Sequence, residues 1–224
     1  MNVLELFAGS RSVGKAAEEL GYKVYSSDIN DFPGIDYVVD VLEFDLSKIP
    51  FKPDIIWASP PCTAFSVIRI GHNWHFNNEP KTEDAVLGMK LVVKTIEIIK
   101  ELKPKYWFME NPRGKLRKLK IVEGLPRTTV WYCRYGDSRA KPTDIWSNHI
   151  YSLFNPNGWN PRPQCWNGNK HCHHEESPRG QTVRDARKKG IEMNYGGTAN
   201  LANNYERSKI PHELCLEVLK SCNV

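Results

Sequence analysis

Val3-Leu4-Glu5-Leu6-Phe7-Ala8-Gly9-Ser10-Arg11-Ser12-Val13-Gly14 sets how the rest of the chain is read. Residues 3–7 are a short apolar run that ends at Ala8-Gly9, and residues 13–20 continue with helical character until Gly21 stops them. A strand that passes through a glycine-bearing turn into a helix lets backbone amides approach a ligand, with a helix N-terminus close by. Taken alone, such a stretch is more often an ordinary strand-to-helix turn. Asp28 changes the balance. It ends a second strand expected over residues 23–29, where an acidic group can accept hydrogen bonds from a ribose instead of merely capping a turn. Turn and carboxylate together point to a nucleoside-containing cofactor.

Working outward, a third and weaker strand is expected over residues 37–41 and a fourth over 54–58, entering Ser59-Pro60-Pro61. The clearest helix spans residues 83–102, where Met89, Val92, Val93, Ile96, Ile99 and Leu102 recur at spacings of three and four. Pro104 closes it, and a strand over 106–109 runs into Glu110-Asn111-Pro112. Strand and helix by turns predict an α/β fold, a doubly wound and mostly parallel sheet covered by helices. Ligands of such sheets sit beyond the carboxyl ends of the strands, which is where Gly9, Asp28, Asp40, Cys62 and Glu110 fall. After Thr128 the pattern changes. Residues 129–133 and 144–146 read as antiparallel strands, and 149–204, rich in Asn, Pro, Gly, Trp and His, read as irregular. An amphipathic helix over 211–219 is expected to dock back on the core. The implied division is a catalytic and cofactor-binding core at 1–148, a small segment at 149–204, and a returning C-terminal stretch at 205–224.

Composition sets outer limits. The 224 residues suffice for one core with a small appendage, and 40% hydrophobic with 25% charged residues is ordinary for a globular chain. No apolar run is long enough to span a bilayer, and the N-terminus lacks the features of a signal peptide. A cytoplasmic protein without a membrane partner is expected. The net charge of +5 and the pI near 8.8 permit a polyanionic partner without requiring one. Six cysteines are too few for a disulfide scaffold in such a chain, so they are read as thiols.

Ser59-Pro60-Pro61-Cys62-Thr63-Ala64-Phe65-Ser66 carries the chemistry. Two prolines stiffen the loop and remove backbone donors, so the thiol that follows is presented in a fixed place. A lone cysteine is usually a small core residue, but one in a rigid loop at a strand end, on the ligand face, reads as a nucleophile. Glu110 ends the next strand. Adjacent parallel strands lie about 5 Å apart, so the two groups can share a pocket. Following the apolar run Tyr106-Trp107-Phe108-Met109, the carboxyl is expected to be desolvated and biased toward its protonated form. Addition of a thiolate to carbon 6 of cytosine, with an acid at ring nitrogen 3, would make carbon 5 nucleophilic enough to take a methyl group. Such a base must be flipped out of a duplex.

In order along the chain, these segments resemble the C5-cytosine DNA methyltransferase family, over residues 1 to about 148 with a weaker match near the C-terminus. The resemblance implies an S-adenosylmethionine-dependent DNA (cytosine-5)-methyltransferase with a methyltransferase-type, Rossmann-like fold. Phe7, Ala8, Gly9 and Ser10 would then form the cofactor loop, Asp28 and Ile29 the ribose side, Asp40 and Val41 the adenine side, and Pro60 the wall beside them. Cys62 would be the nucleophile, Glu110 the acid, and Arg139, after Tyr135-Gly136, a contact to the flipped base. The chain departs from the family at Thr63, where Gln is usual, at Pro112, where Val is usual, and at Ser208, where Asn is usual. Its compactness resembles phage or prophage members, which places it in a bacterial or phage-infected cell, with restriction-modification as one setting.

Two rival readings remain at this level: an exocyclic-amine methyltransferase, which also uses a Pro-Pro loop but wants an aromatic residue where Cys62 stands, and a DNA-binding module that has lost turnover. DNA is the expected partner in each, and a monomer is assumed. No metal is assigned. A zinc site using Cys165, Cys172 and His173, within a cluster that also holds His171 and His174, competes with a loop of solvated histidines. The basic run Arg113-Gly114-Lys115-Leu116-Arg117-Lys118-Leu119-Lys120 is expected to contact phosphates.

Overall fold

The computed structural model describes residues 1–174 and 204–223, together with 188 and 190. Seven strands form one sheet: β1 (Asn2–Leu6), β2 (Lys23–Asp28), β3 (Tyr37–Val38), β4 (Ile55–Ala58), β5 (Tyr106–Pro112), β6 (Arg127–Trp131) and β7 (Pro142–Ser147), in the order β3-β2-β1-β4-β5-β7-β6. The first five pair in parallel, while β7 runs antiparallel to both β5 and β6. The sheet is therefore the expected mostly parallel one with an antiparallel edge. Its central strands are buried from end to end along Ile55–Ala58 and most of Asn2–Leu6, as both-face coverage demands.

Helix α1 (Ser12–Glu19) begins without a capping side chain of its own, since Arg11 at its N-cap has left-handed backbone (φ 54°). The cap comes instead from inside the sheet. The buried Glu5 carboxylate on β1 accepts the N–H of Val13 at 3.1 Å and of Gly14 at 2.9 Å. A Cβ at Gly14 would stand 2.7 Å from Glu5 Oε2, so only glycine admits this approach.

Helix α3 (Glu83–Leu102) has the bounds that its periodicity predicts, with Thr82 Oγ1 accepting the N–H of Ala85 at 3.2 Å and Lys103 closing it in a left-handed turn. Its buried face is Ala85, Gly88, Leu91, Val92, Thr95, Ile98 and Ile99. The stripe read from sequence is thus rotated: Val93 is exposed, and Met89 and Ile96 lie on the flank. The cause is Gly88, whose missing side chain lets the helix press against the loop after β4, within 2.7 Å of the Ala64 Cβ for any added methyl.

Three further elements differ from expectation. The strand expected over 37–41 shortens to β3, because Asp40 turns the chain by accepting the N–H of Leu42 and starts a short 3₁₀ turn at Val41. A four-residue helix, α2 (Ile70–Asn73), follows the Pro-Pro-Cys loop. The strand expected over 129–133 sits two residues earlier, and Tyr132–Tyr135 instead form a 3₁₀ turn.

At the C-terminus, α4 (Asn204–Ser208) precedes α5 (His212–Ser221), which packs Leu214, Cys215 and Val218 against Val13, Ala16 and Ala17 of α1. Residues 149–174 hold no strand or helix and are tied to α5 by side chains. Trp159 Nε1 donates to Glu217, and Arg162 donates to both Glu213 and Glu217 while stacking on Tyr135. Of the segment assigned to 149–204, most of residues 175–203 lies outside the described residues. Among the described residues no helix is long and apolar enough to cross a membrane.

The buried cap on α1 has a measurable consequence. Burial raises the Glu5 carboxyl from about 4.5 to about 7, against the lowering effect of its two backbone donors. Between those values the native chain holds a proton that the unfolded chain has released, so this group's contribution to stability is full at low pH and is lost as pH rises toward 7. The loss is about 3 kcal/mol over the window. Glu5→Gln, which never ionises, should flatten the fall in urea midpoint from about pH 5 to pH 7.5, at a general cost because its amide can accept only one of the two N–H groups. An unchanged pH slope would contradict this account of Glu5.

Candidate active site

Strand register brings the reactive residues to one edge. Leu6 lies level with Ser27 and with Ala58, and Ala58 lies level with Met109. The next residues along the chain, Phe7, Asp28, Ser59 and Glu110, therefore lie side by side, Asp28 as the last residue of β2 and Glu110 within β5, which runs on to Pro112 beside β7. Every one of the four strands contributes its carboxyl end.

The loop carrying Cys62 is pinned at both ends. Asn111 Nδ2 donates to the Pro60 carbonyl at 2.8 Å, and the Lys115 N–H donates to the Phe65 carbonyl at 2.8 Å. Within the loop the Cys62 carbonyl accepts the N–H groups of Phe65 (2.9 Å) and Ser66 (3.0 Å). A Cβ on Gly114 would lie 2.3 Å from the Phe65 carbonyl oxygen, so the second pin needs glycine. Phe65 is fully buried against Trp74, whose indole N–H donates to the Ala64 carbonyl at 2.8 Å. Cys62 itself stays partly exposed at the loop's turn while Pro60 is buried behind it.

Glu110 is buried and accepts a hydrogen bond from the Tyr132 hydroxyl at 2.9 Å. Burial raises its pKa, which the Lys141 ammonium and the Tyr132 donor only partly counter. Burial likewise pushes the Cys62 thiol up, Lys141 pulls it down, and the Glu110 carboxylate adds a small rise. Both groups thus respond to one cation. Lys141 stands 4.7 Å from the Tyr132 ring centroid, and Arg139 lies over the same ring at 5.6 Å. Arg139 is buried, held by the Asp137 carboxylate and donating from Nη2 to the Lys209 carbonyl at 3.1 Å. Cys62, Glu110 and Arg139 are therefore brought together, and Lys141, Tyr132 and Asn111 join them.

The other half of the edge has the backbone and carboxylate features of a ligand-binding turn. Phe7 (φ 56°), Gly9 (φ 46°) and Arg11 (φ 54°) alternate through left-handed backbone, a conformation that costs a non-glycine residue energy and collects at ligand sites. Asp28 fixes the turn, accepting the Gly9 N–H at 2.9 Å on one oxygen and the Asn30 N–H at 2.9 Å on the other. A carboxylate has about four acceptor sites, so capacity remains for a ribose hydroxyl. Ile29 beside it exposes 63% of its surface, an apolar platform of the kind a purine covers. Asp40 is partly exposed one strand over, with Val41 buried beneath it. Ala8 and Ser10 are buried in the turn, where Ser10 Oγ and Ser12 Oγ lie 2.8 Å apart. The C-terminal segment closes over this turn: the Ile210 N–H donates to Ser12 Oγ, Phe32 packs on Tyr205, and Ser208 Oγ would lie 3.7 Å from a Cβ at Gly9.

Two expectations are corrected. Lys115 and Arg117 of the basic run face inward. Lys115 is buried with its ammonium on Asn78 Oδ1 at 2.7 Å, and Arg117 forms a two-pronged pair with the buried Asp144 at 2.6 and 2.8 Å. Only Arg113, Lys118 and Lys120 of that run are exposed. His173 does not join Cys165 and Cys172; its Nε2 meets the Asp137 carbonyl at 3.1 Å, and His174 and Cys133 take the places beside them.

Comparison with known proteins places the chain in a family. The sequence model of the C-5 cytosine-specific DNA methylase family matches residues 1–121, the stretch that holds the cofactor turn, the Cys62 loop and Glu110. The chain belongs to this family. Members of the family use S-adenosylmethionine as methyl donor. The Frog virus 3 (isolate Goorha) "Probable DNA (cytosine-5)-methyltransferase" is 38% identical over 156 residues, covering 66% of this chain and 71% of that protein. The type II methyltransferase M.HpaII of Haemophilus parainfluenzae is 31% identical over 144 residues, but the match spans 37% of its length. Entamoeba histolytica methyltransferase EhMeth (TM-score 0.54, 11% identity, 99% of this chain and 97% of that one) and Spodoptera frugiperda DNMT2 (TM-score 0.53, 13%, all of both chains) share the fold.

The methylase site makes Lys141 testable without turnover. Removing its positive charge should raise the Cys62 pKa, so Lys141→Met should slow alkylation of Cys62 by iodoacetamide about three- to tenfold near neutral pH and move the pH profile upward. Peptide mass spectrometry at Cys62 reads the effect, and Lys141→Arg should restore the profile. An unmoved profile in Lys141→Met would remove Lys141 from the site.

Proposed function

We propose that this chain methylates carbon 5 of cytosine in double-stranded DNA, with Cys62 as covalent nucleophile and Glu110 as general acid. The observation that carries the reading is the hydrogen bond from Asn111 to the Pro60 carbonyl, which locks the thiol loop to the strand that bears the acid. The Phe7–Ser10 turn, with Asp28 on the ribose side and Ile29, Asp40 and Val41 on the adenine side, would hold S-adenosylmethionine, which would supply the methyl group.

The reaction begins with a cytosine flipped against Arg139 and Glu110. The Cys62 thiolate forms a bond to carbon 6 while Glu110 delivers its proton to ring nitrogen 3. Lys141 offsets the negative charge on both groups, and Tyr132 holds the carboxyl in place. The ring electrons moved by this addition make carbon 5 the nucleophile that accepts the methyl group. A water molecule acting as base takes the carbon 5 proton, the C5–H electrons re-form the C5=C6 double bond as the C6–S bond breaks and Cys62 leaves as thiolate, and the nitrogen 3 proton returns to Glu110. Burial of Glu110 suits the first step, because it raises the carboxyl's pKa and so favours the protonated form that can donate.

Residues 149–204 are proposed to read the target. In their described part, Leu153 and Phe154 are more than 90% exposed and Tyr151 and Trp166 at least half exposed, which suits a surface completed by a partner. A monomer in the cytoplasm of a bacterial or virus-infected cell, within a modification system, is the setting that this reading implies.

DNA containing 5-fluorocytosine at the target should trap Cys62 covalently, because fluorine cannot leave as a proton does. Cys62→Ser should abolish the trap, and Glu110→Gln should slow methylation about 100-fold or more with cofactor affinity retained. Methylation at the wild-type rate by Cys62→Ala would overturn the covalent mechanism and reopen the exocyclic-amine reading.

The cofactor end is tested separately by calorimetry. Asp28→Ala should weaken S-adenosylmethionine binding about ten- to a hundredfold, through the lost ribose acceptor and the loosened Gly9 turn. Unchanged affinity would exclude Asp28 from the site.

A further inference from the structure

Three cysteines and a histidine from separate stretches converge behind the active-site wall. The sulfurs of Cys133, Cys165 and Cys172 and a ring nitrogen of His174 all lie within 4.8 Å of one another. A tetrahedral zinc ion with sulfur ligands at about 2.3 Å spaces its donors about 3.8 Å apart. The cluster therefore needs to contract by no more than about 1 Å along its longest edge, and Cys165 Sγ and His174 Nδ1 already stand 3.7 Å apart.

We propose that Cys133, Cys165, Cys172 and His174 hold one structural zinc ion that staples residues 160–174 to the β6 side of the active site. Three thiolates and one imidazole are a recognised structural donor set for zinc. A disulfide would use two of the four groups and leave a thiol and a buried imidazole without strong partners.

The surroundings are those of a thiolate site. Asn169 Nδ2 donates to Cys165 Sγ at 3.4 Å, and the backbone N–H of His174 points at the Cys172 sulfur; donors of this kind orient ligands and stabilise their charge. His174 is buried, and its Nε2 has no partner among the described residues. The ring's polar contacts among the described residues are to cysteine sulfurs, Cys165 Sγ at 3.7 Å from Nδ1 and Cys172, a weak return for burying an imidazole. A metal bond at Nδ1 would replace these weak sulfur contacts with a strong one. Binding of the ion displaces the thiol protons, which leave to solvent.

The staple has something to hold. Residues 160–174 contain no strand or helix, and the apolar group around the cluster, Trp131 with Cys133, Cys165 and Ala140, is separate from the main core. From the cluster, two short links reach the catalytic groups. Cys133 follows Tyr132, the donor to Glu110, and His173 meets the carbonyl of Asp137, whose carboxylate grips Arg139. The metal is thus placed to brace the wall that positions the acid and the base-contacting arginine.

The test uses the full chain, untagged and purified without chelator. Elemental analysis should find about one zinc per chain. Mercurial titration of the folded protein should release it in step with thiol modification. Cobalt substituted for zinc should show thiolate-to-metal charge transfer with the strong visible bands of a tetrahedral site. Cys172→Ser and His174→Ala should lose most of the metal, and His173→Ala should keep it. If the serine variant fails to fold, the titration of wild-type protein still decides. Folded protein that neither contains zinc nor takes up cobalt, or a disulfide joining two of the three cysteines on non-reducing peptide mapping, would overturn the site. Neither result bears on methyl transfer, which is read separately by the 5-fluorocytosine trap.

Discussion

A single side-chain amide holds the proposed chemistry together. Asn111 follows Glu110 on β5, and its Nδ2 donates to the carbonyl of Pro60 at 2.8 Å, both groups being buried. Parallel strands can align two loops but cannot fix the height of a side chain four residues beyond the end of β4. The Asn111 bond does that, because Pro60 and Pro61 leave the chain little freedom before Cys62. Trp74 and Gly88 then support the far side of the loop, and Gly114 lets the post-β5 backbone reach the Phe65 carbonyl. Nucleophile and acid are positioned by the same strand, so neither can shift without the other.

The antiparallel edge is what turns a nucleotide-binding sheet into this site. A purely parallel sheet would end at β5 with Glu110 facing open solvent. Pairing β7 against β5 places Ile145 level with Glu110 and Asp144 level with Asn111, and the turn leading into β7 carries Arg139 and Lys141. Two cations and the Tyr132 ring are thereby set against a buried carboxyl and a thiol. Desolvation raises both pKa values, and Lys141 limits the rise. Without that cation burial would disfavour the thiolate further, and the acid would release its proton less readily.

Local chemistry in the sequence already carried much of this. The bounds of the helix over 83–102, closed before Pro104, and the placing of Gly9, Asp28, Cys62 and Glu110 at or just after the carboxyl-end parts of strands are set by neighbours in the chain, and the structure keeps them. Features that depend on distant partners were not legible. Lys141 looks like any surface lysine until β7 folds beside β5. Lys115 and Arg117 read as a basic run because Asn78 and Asp144, which neutralise them, lie far away in sequence. The rotated face of α3 follows from Ala64 meeting Gly88, a contact that no helical period contains. Cys133 sits at a strand end with no ligand-like neighbour, so spacing alone could not join it to Cys165 and Cys172.

The same contrast explains how so short a chain can carry an irregular segment at its active site. Residues 149–174 bury few apolar side chains of their own, chiefly Trp159 and Cys165, and ordering them costs conformational entropy that regular hydrogen bonding does not repay. Their order is supplied by point attachments. Arg162 spans Tyr135, Glu213 and Glu217 at one end. The thiol-rich cluster gathers Cys165, Cys172 and His174 against Cys133 at the other. Leu153 and Phe154 ahead of Arg162, and Trp166 within the cluster stretch, stay exposed without being drawn into the core. Apolar groups held outward on a short tether are suited to meeting a partner, and their placement depends on the two anchors more than on the sheet.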